Sequence, residues 1–285
     1  MNIKITADST CDLSADILTE YDITITPLTV IKAGPGYIDG VTITPAEIFA
    51  HVADGGKPLL HLRPQRRRPF RSTSRSKQAN TTASFTLTSG ADFSSTYHNA
   101  CVAAADFPNV RVIDSRNLST GQGHIVLKAA ELAKTRPHLW MPAWKRELDD
   151  FTSRVEASFL VDRLDYMVKG GRCSTVVALG ANLLNLKPCI EVKDGKMAVA
   201  KKYRGKYDKC LANYVEDRLD GRDDLDNGLL FVTHTPVTDE CHAAVMEAVA
   251  KYGTGSTRWT KPTPDAPSPA TAARGPWAFF SSGEN

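Results

Sequence analysis

The 285-residue sequence contains no apolar run of the roughly 20 residues that a membrane-spanning helix requires. Its N-terminus, MNIKITADST, has the pattern of a strand and lacks the charged and then apolar segments of a signal peptide. Together these absences predict a cytoplasmic protein without stable membrane insertion.

The sequence also lacks the spacings that identify common metal, nucleotide and catalytic sites. No two cysteines form CxxC, no GxGxxG follows the first predicted strand, and no segment has the glycine and lysine spacing of a P-loop. The histidines are dispersed, without a recognisable nucleophile and base. We therefore predict no catalytic residues, no bound metal and no cofactor. Six cysteines are expected to be reduced and mostly buried: Cys11, Cys101, Cys173, Cys189, Cys210 and Cys241.

Positive charge is concentrated in one segment, HLRPQRRRPFRSTSRSK at residues 61–77. It carries seven Lys and Arg and no acid, and subtracting these seven charges from the formal net charge of +3 leaves −4 for the rest of the chain. Clustered Lys and Arg are sufficient for phosphate contacts with a nucleic acid. Phe70 is the single aromatic residue of the segment, however, so no base-stacking pattern accompanies the charge. We predict no nucleic-acid partner.

The first half of the chain alternates between predicted strands and helices. Strands are predicted at residues 3–7, 23–31, 83–88 and 109–114. A helical pattern, SADILTEY, follows the first strand, and TPAE at Thr44 to Glu47 is a capping box that opens a helix through Val52. Further helices are predicted at about 94–106 and 120–134. This alternation predicts a parallel sheet covered by helices, which binds ligands beyond the carboxyl ends of its strands.

The second half predicts a further α/β unit. Helices are expected at 142–155, in LDYMVKGG and TVVALGANLL, and at 207–219 and 238–252, with strands in SFLVD and LLFVTH. CIEVKDGKMAVAKKY predicts a hairpin whose turn is Asp194 and Gly195. The fold class is therefore α/β with two domains, an N-terminal one at 1–150 and a C-terminal one at 151–252.

Several segments together resemble the DegV family. They are ADSTCDLS, DGVTITPAEIF, NVRVIDSRNLSTGQG, LDYMVKGGRCS, ALGANLLNLKPCIEVKDGKM and KKYRGKY, and they occur in order over about 1–56 and 82–252. The resemblance implies two α/β domains with a fatty acid held between or within them. It also implies a noncatalytic binding subunit of a bacterial fatty acid kinase, which presents the acyl carboxylate to a separate subunit that uses ATP.

Two segments depart from this family pattern. Residues 57–81 stand where the family has a Thr-Ser carboxylate-binding turn, and residues 253–285 stand where it has His-Cys-Gly-Pro-Gly and a final strand. Suitable codons for both segments, read in a shifted frame, encode the expected family residues. We therefore hypothesise that both segments are frame-shifted and that 57–81 is disordered or misfit, which resequencing of the source DNA tests. The loss of both elements predicts weak fatty acid binding or instability, because a missing last strand exposes a sheet edge.

The carboxylate of a fatty acid requires hydroxyls and backbone N–H groups, which a helix N-terminus supplies. TSGADFSSTY at residues 88–97 combines a strand end, a glycine and a helix start, although extra residues around Ala91 separate it from the family's shorter turn. Ser89 is the first candidate for the carboxylate, and Ser94 has N-capping as an equal alternative. The candidates in this segment are Ser89, Gly90, Ser94, Ser95 and Thr96.

Three further candidates lie elsewhere in the sequence. The resemblance places Arg172 of KGGRCS near the ligand head group and the surface shown to the kinase, whereas its alternative role is to cap the preceding helix. Ser9 and Thr10 follow the first strand and serve either as ligand contacts or as turn formers. The alternative function is a lipid or small-molecule phosphotransferase that uses DSRNLSTGQG as a phosphate cradle, although the P-loop lysine is missing.

Overall fold

The computed structural model describes residues 2–31, 35–54, 62–63, 83–139, 141–162, 186–235, 237–253 and 277–283. The chain divides into two compact units, one formed mainly by Met1–Ser153 and one that begins at Arg154. Among the described residues, no helix is both long and apolar enough to span a membrane.

The described strands and helices are numbered in chain order. The strands are β1 Ile3–Asp8, β2 Thr24–Thr26, β3 Thr29–Ile31, β4 Gly36–Ile38, β5 Leu62–Arg63, β6 Ala83–Thr88, β7 Val110–Asp114, β8 Val155–Leu160, β9 Leu186–Lys193, β10 Lys196–Arg204, β11 Leu225–His234 and β12 Trp277–Gly283. The helices are α1 Ala15–Glu20, α2 Pro45–Ala53, α3 Thr96–Ala104, α4 Ser119–Thr135, α5 Met141–Arg154, α6 Tyr207–Leu219 and α7 Asp239–Tyr252.

The first unit is built on a parallel sheet with the strand order β2-β1-β6-β7. Its two central strands, β1 and β6, are mostly buried, because helices follow the strands and cover the sheet. Trp144 of α5, for example, stacks on Phe85 of β6 with the ring centroids 4.6 Å apart. The predicted parallel α/β fold is confirmed.

Local sequence signals determine where several helices of this unit begin. The Glu47 carboxylate accepts hydrogen bonds from the backbone N–H of Thr44, at 2.7 Å, and from its hydroxyl, at 2.9 Å. In return the Thr44 hydroxyl accepts from the backbone N–H of Glu47 at 3.4 Å. This reciprocal pair is the capping box that TPAE predicts at the start of α2.

One predicted strand of the first unit is wrong. The segment 23–31 forms two short strands rather than one, because Pro27 between them has no N–H to contribute to a ladder. β2 joins the parallel sheet, whereas β3 belongs to a separate antiparallel sheet of order β4-β3-β5. β5 lies within the basic segment, whose remaining residues are outside the described ranges.

The second unit contains a five-stranded sheet of order β10-β9-β8-β12-β11, in which every pairing is antiparallel. The predicted hairpin is present, since Asp194 and Gly195 both have positive φ angles, 51° and 76°, as a type I′ turn requires. Helices α6 and α7 pack on one sheet face. Their shared core includes Leu160, Val232, Leu211, Val215 and Val245.

The expectation that the altered tail leaves the last strand out of this sheet is wrong. β12 lies between β8 and β11 and pairs with both of them, Phe280 standing opposite Ala157 on one side and Phe231 on the other. The backbone groups of a strand pair irrespective of side-chain identity, so this altered segment supplies a strand where the family pattern requires one. The two helices predicted between 164 and 184 lie outside the described residues.

Candidate functional site

Strands β1, β6 and β7 run parallel and therefore end on the same side of their sheet. Their last residues are Asp8, Thr88 and Asp114, and the register pairs Thr88 with Asp114. We refer to this region, with the turns that follow each strand, as the carboxyl edge. Open α/β sheets bind their ligands at this edge.

The Asp8 carboxylate is the centre of the carboxyl edge. Its Oδ1 accepts from the backbone N–H of Thr10 at 3.0 Å, from the Thr10 hydroxyl, and from Nε2 of Gln122 in α4 at 3.2 Å. Its Oδ2 accepts from the backbone N–H of Ser89 at 2.9 Å. This buried carboxylate thus ties β1, β6 and α4 together, and its donors compensate for its burial.

Ser9 and Thr10 have partners within the protein. The Ser9 hydroxyl donates to Oδ2 of Asp39 at 2.7 Å and accepts from the backbone N–H of Leu28 at 3.1 Å. Burial raises the pKa of Asp39, the hydrogen bond from Ser9 opposes that rise, and the nearby negative charge of Asp8 adds to it. The Thr10 hydroxyl thus has a turn-forming bond to Asp8, which was its alternative role, whereas the Ser9 hydroxyl bonds to two segments distant in sequence.

The hydroxyls at the start of α3 also have local partners. Ser94 and Thr96 share a hydroxyl–hydroxyl hydrogen bond of 2.7 Å, and the Ser94 hydroxyl accepts from the backbone N–H of Thr96 at 3.2 Å. The exposed Ser95 accepts from the Asn99 side-chain amide at 3.3 Å. Of these bonds, only that from the Thr96 N–H to the Ser94 hydroxyl satisfies a backbone group of the first turn, which is the kind of local role given as the alternative for Ser94.

Ser89 differs from these neighbours. Its hydroxyl is buried and has no hydrogen-bond partner among the residues that the structure describes. The Gly90 N–H is not available to a ligand, because it donates to the carbonyl of Asn117 at 2.8 Å. Gly90 instead allows its neighbours to pack closely against the backbone. A Cβ at this position would lie 2.9 Å from the Phe93 ring and 3.1 Å from the backbone nitrogen of Asn117, so a larger residue would collide with them.

The loop after β7 encloses the same edge. Oδ1 of Asp114 accepts from the backbone N–H groups of Ala91, at 3.1 Å, and Arg116, at 2.9 Å, so this loop holds the turn after β6. The Ser119 hydroxyl donates to Asp12 at 2.6 Å. Asp114 and Ser119 of DSRNLSTGQG are thus engaged in internal hydrogen bonds, and the segment lacks the lysine of a P-loop.

Neither Cys11 nor Ser89 is arranged as an activated nucleophile at this edge. Cys11 is the thiol closest in sequence to Asp8, and burial raises its pKa well above the ordinary value, so the reactive thiolate is disfavoured. The Ser89 hydroxyl has no base within hydrogen-bonding distance among the described residues, as an activated serine would require.

Some predicted and some unpredicted residues need separate mention. Arg172 lies outside the described residues. The part of the chain that the structure describes contains no group of three His, Cys, Asp or Glu suited to a metal ion.

Sequence reasoning did not identify Asp39, Gln122 or Asn117 as members of the edge. The available signal for Gln122 was its place in the polar, glycine-rich run STGQG that opens α4, since a glutamine that becomes buried there needs hydrogen-bond partners.

Comparison with known proteins decides the family. A family model described as the DegV family matches residues 2–258. The chain belongs to the DegV family. A DegV domain-containing protein of Clostridium acetobutylicum is 33% identical over 226 residues, which are 75% of this chain and 76% of that relative. One from Clostridium perfringens is 31% identical over 207 residues, or 71% and 72% of the two chains.

Solved DegV structures share the fold over the whole chain. A DegV family protein of Thermus thermophilus, described as fatty acid binding, superposes with a TM-score of 0.84 at 26% identity, covering 99% of this chain and 100% of that one. A stearic acid-binding protein of Eubacterium ventriosum gives 0.79 at 22% identity over 98% of both chains. The second likeness concerns the fold alone.

Proposed function

We propose that this DegV protein binds a long-chain fatty acid, holds its carboxylate at Ser89 and performs no chemistry on it. The single observation that carries the proposal is the buried Ser89 hydroxyl at the carboxyl edge, which has no partner among the described residues. The fatty acid-binding description of the Thermus thermophilus relative supports the ligand class. Affinity comes mainly from the acyl chain, at about 0.8 kcal/mol per buried methylene, while the head-group site selects the acid.

The proposal includes a partner and a location. The family resemblance implies a separate kinase subunit that uses ATP, to which this protein presents the carboxylate. Such a partner requires a cytoplasmic location. The phosphotransferase alternative has less support, because its supposed cradle lacks the P-loop lysine and its Ser115 and Ser119 hydroxyls bond to Asn117 and Asp12.

Native mass spectrometry of the protein purified from bacteria tests ligand binding. We expect a copurified mass equal to a long-chain fatty acid. In titrations of delipidated protein, Ser89→Ala should weaken binding about 10- to 100-fold, because a hydrogen bond to a charged group contributes about 1.5–3 kcal/mol. Ser95→Ala is the matched control, since its hydroxyl is exposed and bonds to the Asn99 side chain.

The absence of any copurified acyl chain, together with no saturable binding of a fluorescent fatty acid, would contradict the proposal. Equal losses of affinity in both serine variants would remove Ser89 as the carboxylate contact. Saturable ATP hydrolysis by the protein alone would favour the enzyme alternative.

A further inference from the structure

Four buried polar side chains near the carboxyl edge have an oxygen without a hydrogen-bond partner among the described residues: Thr88, Ser89, Asn117 and Thr120. Their exposed fractions are 1%, 5%, 3% and 1%. Burial of an unsatisfied polar atom is unfavourable, and native proteins contain few such atoms. A local concentration of them therefore indicates a site whose partner is supplied from outside the chain.

Thr88 ends β6 and Ser89 follows it, whereas the other two residues come from the loop and helix after β7, and backbone hydrogen bonds join the two segments. The Ser115 N–H donates to the Thr88 carbonyl at 3.2 Å, and the Gly90 N–H donates to the Asn117 carbonyl at 2.8 Å. The residue after Ser89 is therefore bonded directly to Asn117. The strand-end turn and the start of α4 form adjoining sides of one region.

Thr120 lies in the first turn of α4, a helix of 17 residues whose cap residue, Leu118, makes no side-chain capping bond. The neighbouring polar side chains of this turn are occupied, Ser119 by Asp12 and Gln122 by Asp8. The Thr120 hydroxyl alone remains uncommitted among them. The N-terminus of a helix attracts an anion through its free N–H groups and its dipole.

The acids of the region do not compete for these free groups. Asp8 accepts four hydrogen bonds, Asp12 accepts from Ser119, and Asp114 accepts from two backbone N–H groups. The uncommitted hydroxyls therefore remain as donors to an additional carboxyl group. Asn117 presents Oδ1, which accepts from a protonated carboxyl, and rotation of its amide presents Nδ2, which donates to a carboxylate.

We propose that Asn117 and Thr120 form the second side of the head-group site, so that the ligand's carboxyl group is held by Ser89 and by the start of α4. This inference rests on the proposed function, and it assigns specificity for a terminal carboxyl to these two side chains. A long-chain alcohol offers one uncharged oxygen where the acid offers two that share a charge, so it gains less from a site with donors on two sides.

The test compares affinities for a fatty acid and for the alcohol of the same chain length. We expect Thr120→Val and Asn117→Ala each to weaken binding of the acid about tenfold or more and to leave binding of the alcohol nearly unchanged. Thr120→Ser should restore most of the preference. Thr29→Val is the matched control, because Thr29 also has a buried hydroxyl without a described partner but lies in the small antiparallel sheet.

A second measurement, by NMR, uses only the wild-type protein, so its result does not depend on whether the variants fold. In the wild-type protein, the NMR signals of the Asn117 side-chain amide should shift on titration with the acid and not with the alcohol. If the acid-to-alcohol ratio changes in Ser89→Ala but not in either new variant, and the amide signals stay in place, the inference is overturned and the proposed function stands. If the wild-type protein binds no acid, the proposed function itself fails.

Discussion

At the residue scale, the carboxyl edge is organised by acids that are buried for structural reasons. Asp8 receives donors from three chain segments, and Asp39 receives the Ser9 hydroxyl. These bonds occupy the two hydroxyls that follow β1. The Ser89 hydroxyl is left available because Asp8 engages the backbone of Ser89 rather than its side chain.

The first residue-scale prediction concerns the buried carboxyl of Asp39. Because burial raises its pKa in the folded state, ionisation costs more there than in the unfolded chain, so stability falls as the pH rises from the ordinary aspartate pKa through the raised one. Asp39→Asn removes this cost and retains an acceptor for Ser9. It should raise the free energy of unfolding at neutral pH, on the order of 1 kcal/mol, and the gain should vanish in acid.

Urea unfolding at neutral and acidic pH measures this difference. Asp92→Asn, at an exposed position, serves as the control and should change little at either pH. A lower stability of Asp39→Asn at neutral pH would mean that the buried charge is compensated by its surroundings.

A second residue-scale prediction concerns Gly123 in α4. Replacement of a helical glycine by alanine ordinarily stabilises a protein by about 1 kcal/mol. Here the added Cβ would lie 2.8 Å from the carbonyl oxygen of Cys11 and 2.9 Å from the Leu13 side chain. A backbone carbonyl cannot move aside easily, so Gly123→Ala should destabilise the protein by about 1–3 kcal/mol.

Chemical denaturation measures the effect of Gly123→Ala, with Ser153→Ala at an exposed position of α5 as the control. If Gly123→Ala is more stable than the wild type, the gain in helix propensity outweighs the steric cost of placing a Cβ against the turn after β1. The ligand affinity of the variant should also fall, because α4 would be displaced from Asp8.

At the scale of elements, regular segments were predictable and segments with conflicting signals were not. The strands at 83–88 and 110–114 and the hairpin at Asp194 and Gly195 follow from β-branched residues and a turn that requires positive φ. The division of 23–31 was missed, although Pro27 was the available signal. β12 was missed because its place in the sheet depends on pairing with distant strands, which no local pattern encodes.

The prediction at this scale concerns the contribution of β12 to the stability of its sheet. This strand has a neighbouring strand on each side, so Phe280→Pro removes a backbone N–H and inserts a ring within a paired ladder, at a cost of about 2–4 kcal/mol. Ala200→Pro is the matched control, since Ala200 lies on β10, an edge strand, where the register shifts between Val199 and Lys201. Thermal unfolding compares the two, and equal small effects would show that β12 does not complete the sheet.

At the scale of the whole molecule, the sequence was sufficient for the α/β class and for the DegV family, because its motifs occur in order over both units. The site was less predictable. Ser89 could be proposed from a strand end beside a glycine, whereas Asn117 and Thr120 became candidates only once hydrogen bonds joined their loop to Gly90. A sequence pattern identifies hydroxyls but not which of them remain unpaired after folding. That selection depends on contacts between segments far apart in the chain.

The last prediction follows from linkage between ligand binding and folding. A ligand that binds only the folded state stabilises it by about 2.7 kcal/mol when present at 100 times its Kd. The chain forms two compact units, so unfolding need not be a single transition. A saturating fatty acid should raise the melting temperature of the transition that includes Ser89. Ser89→Ala should show a smaller rise at the same ligand concentration, whereas Ser95→Ala should match the wild type. Calorimetry of delipidated protein measures all three, and a wild-type melting temperature unchanged by fatty acid would contradict preferential binding to the folded state.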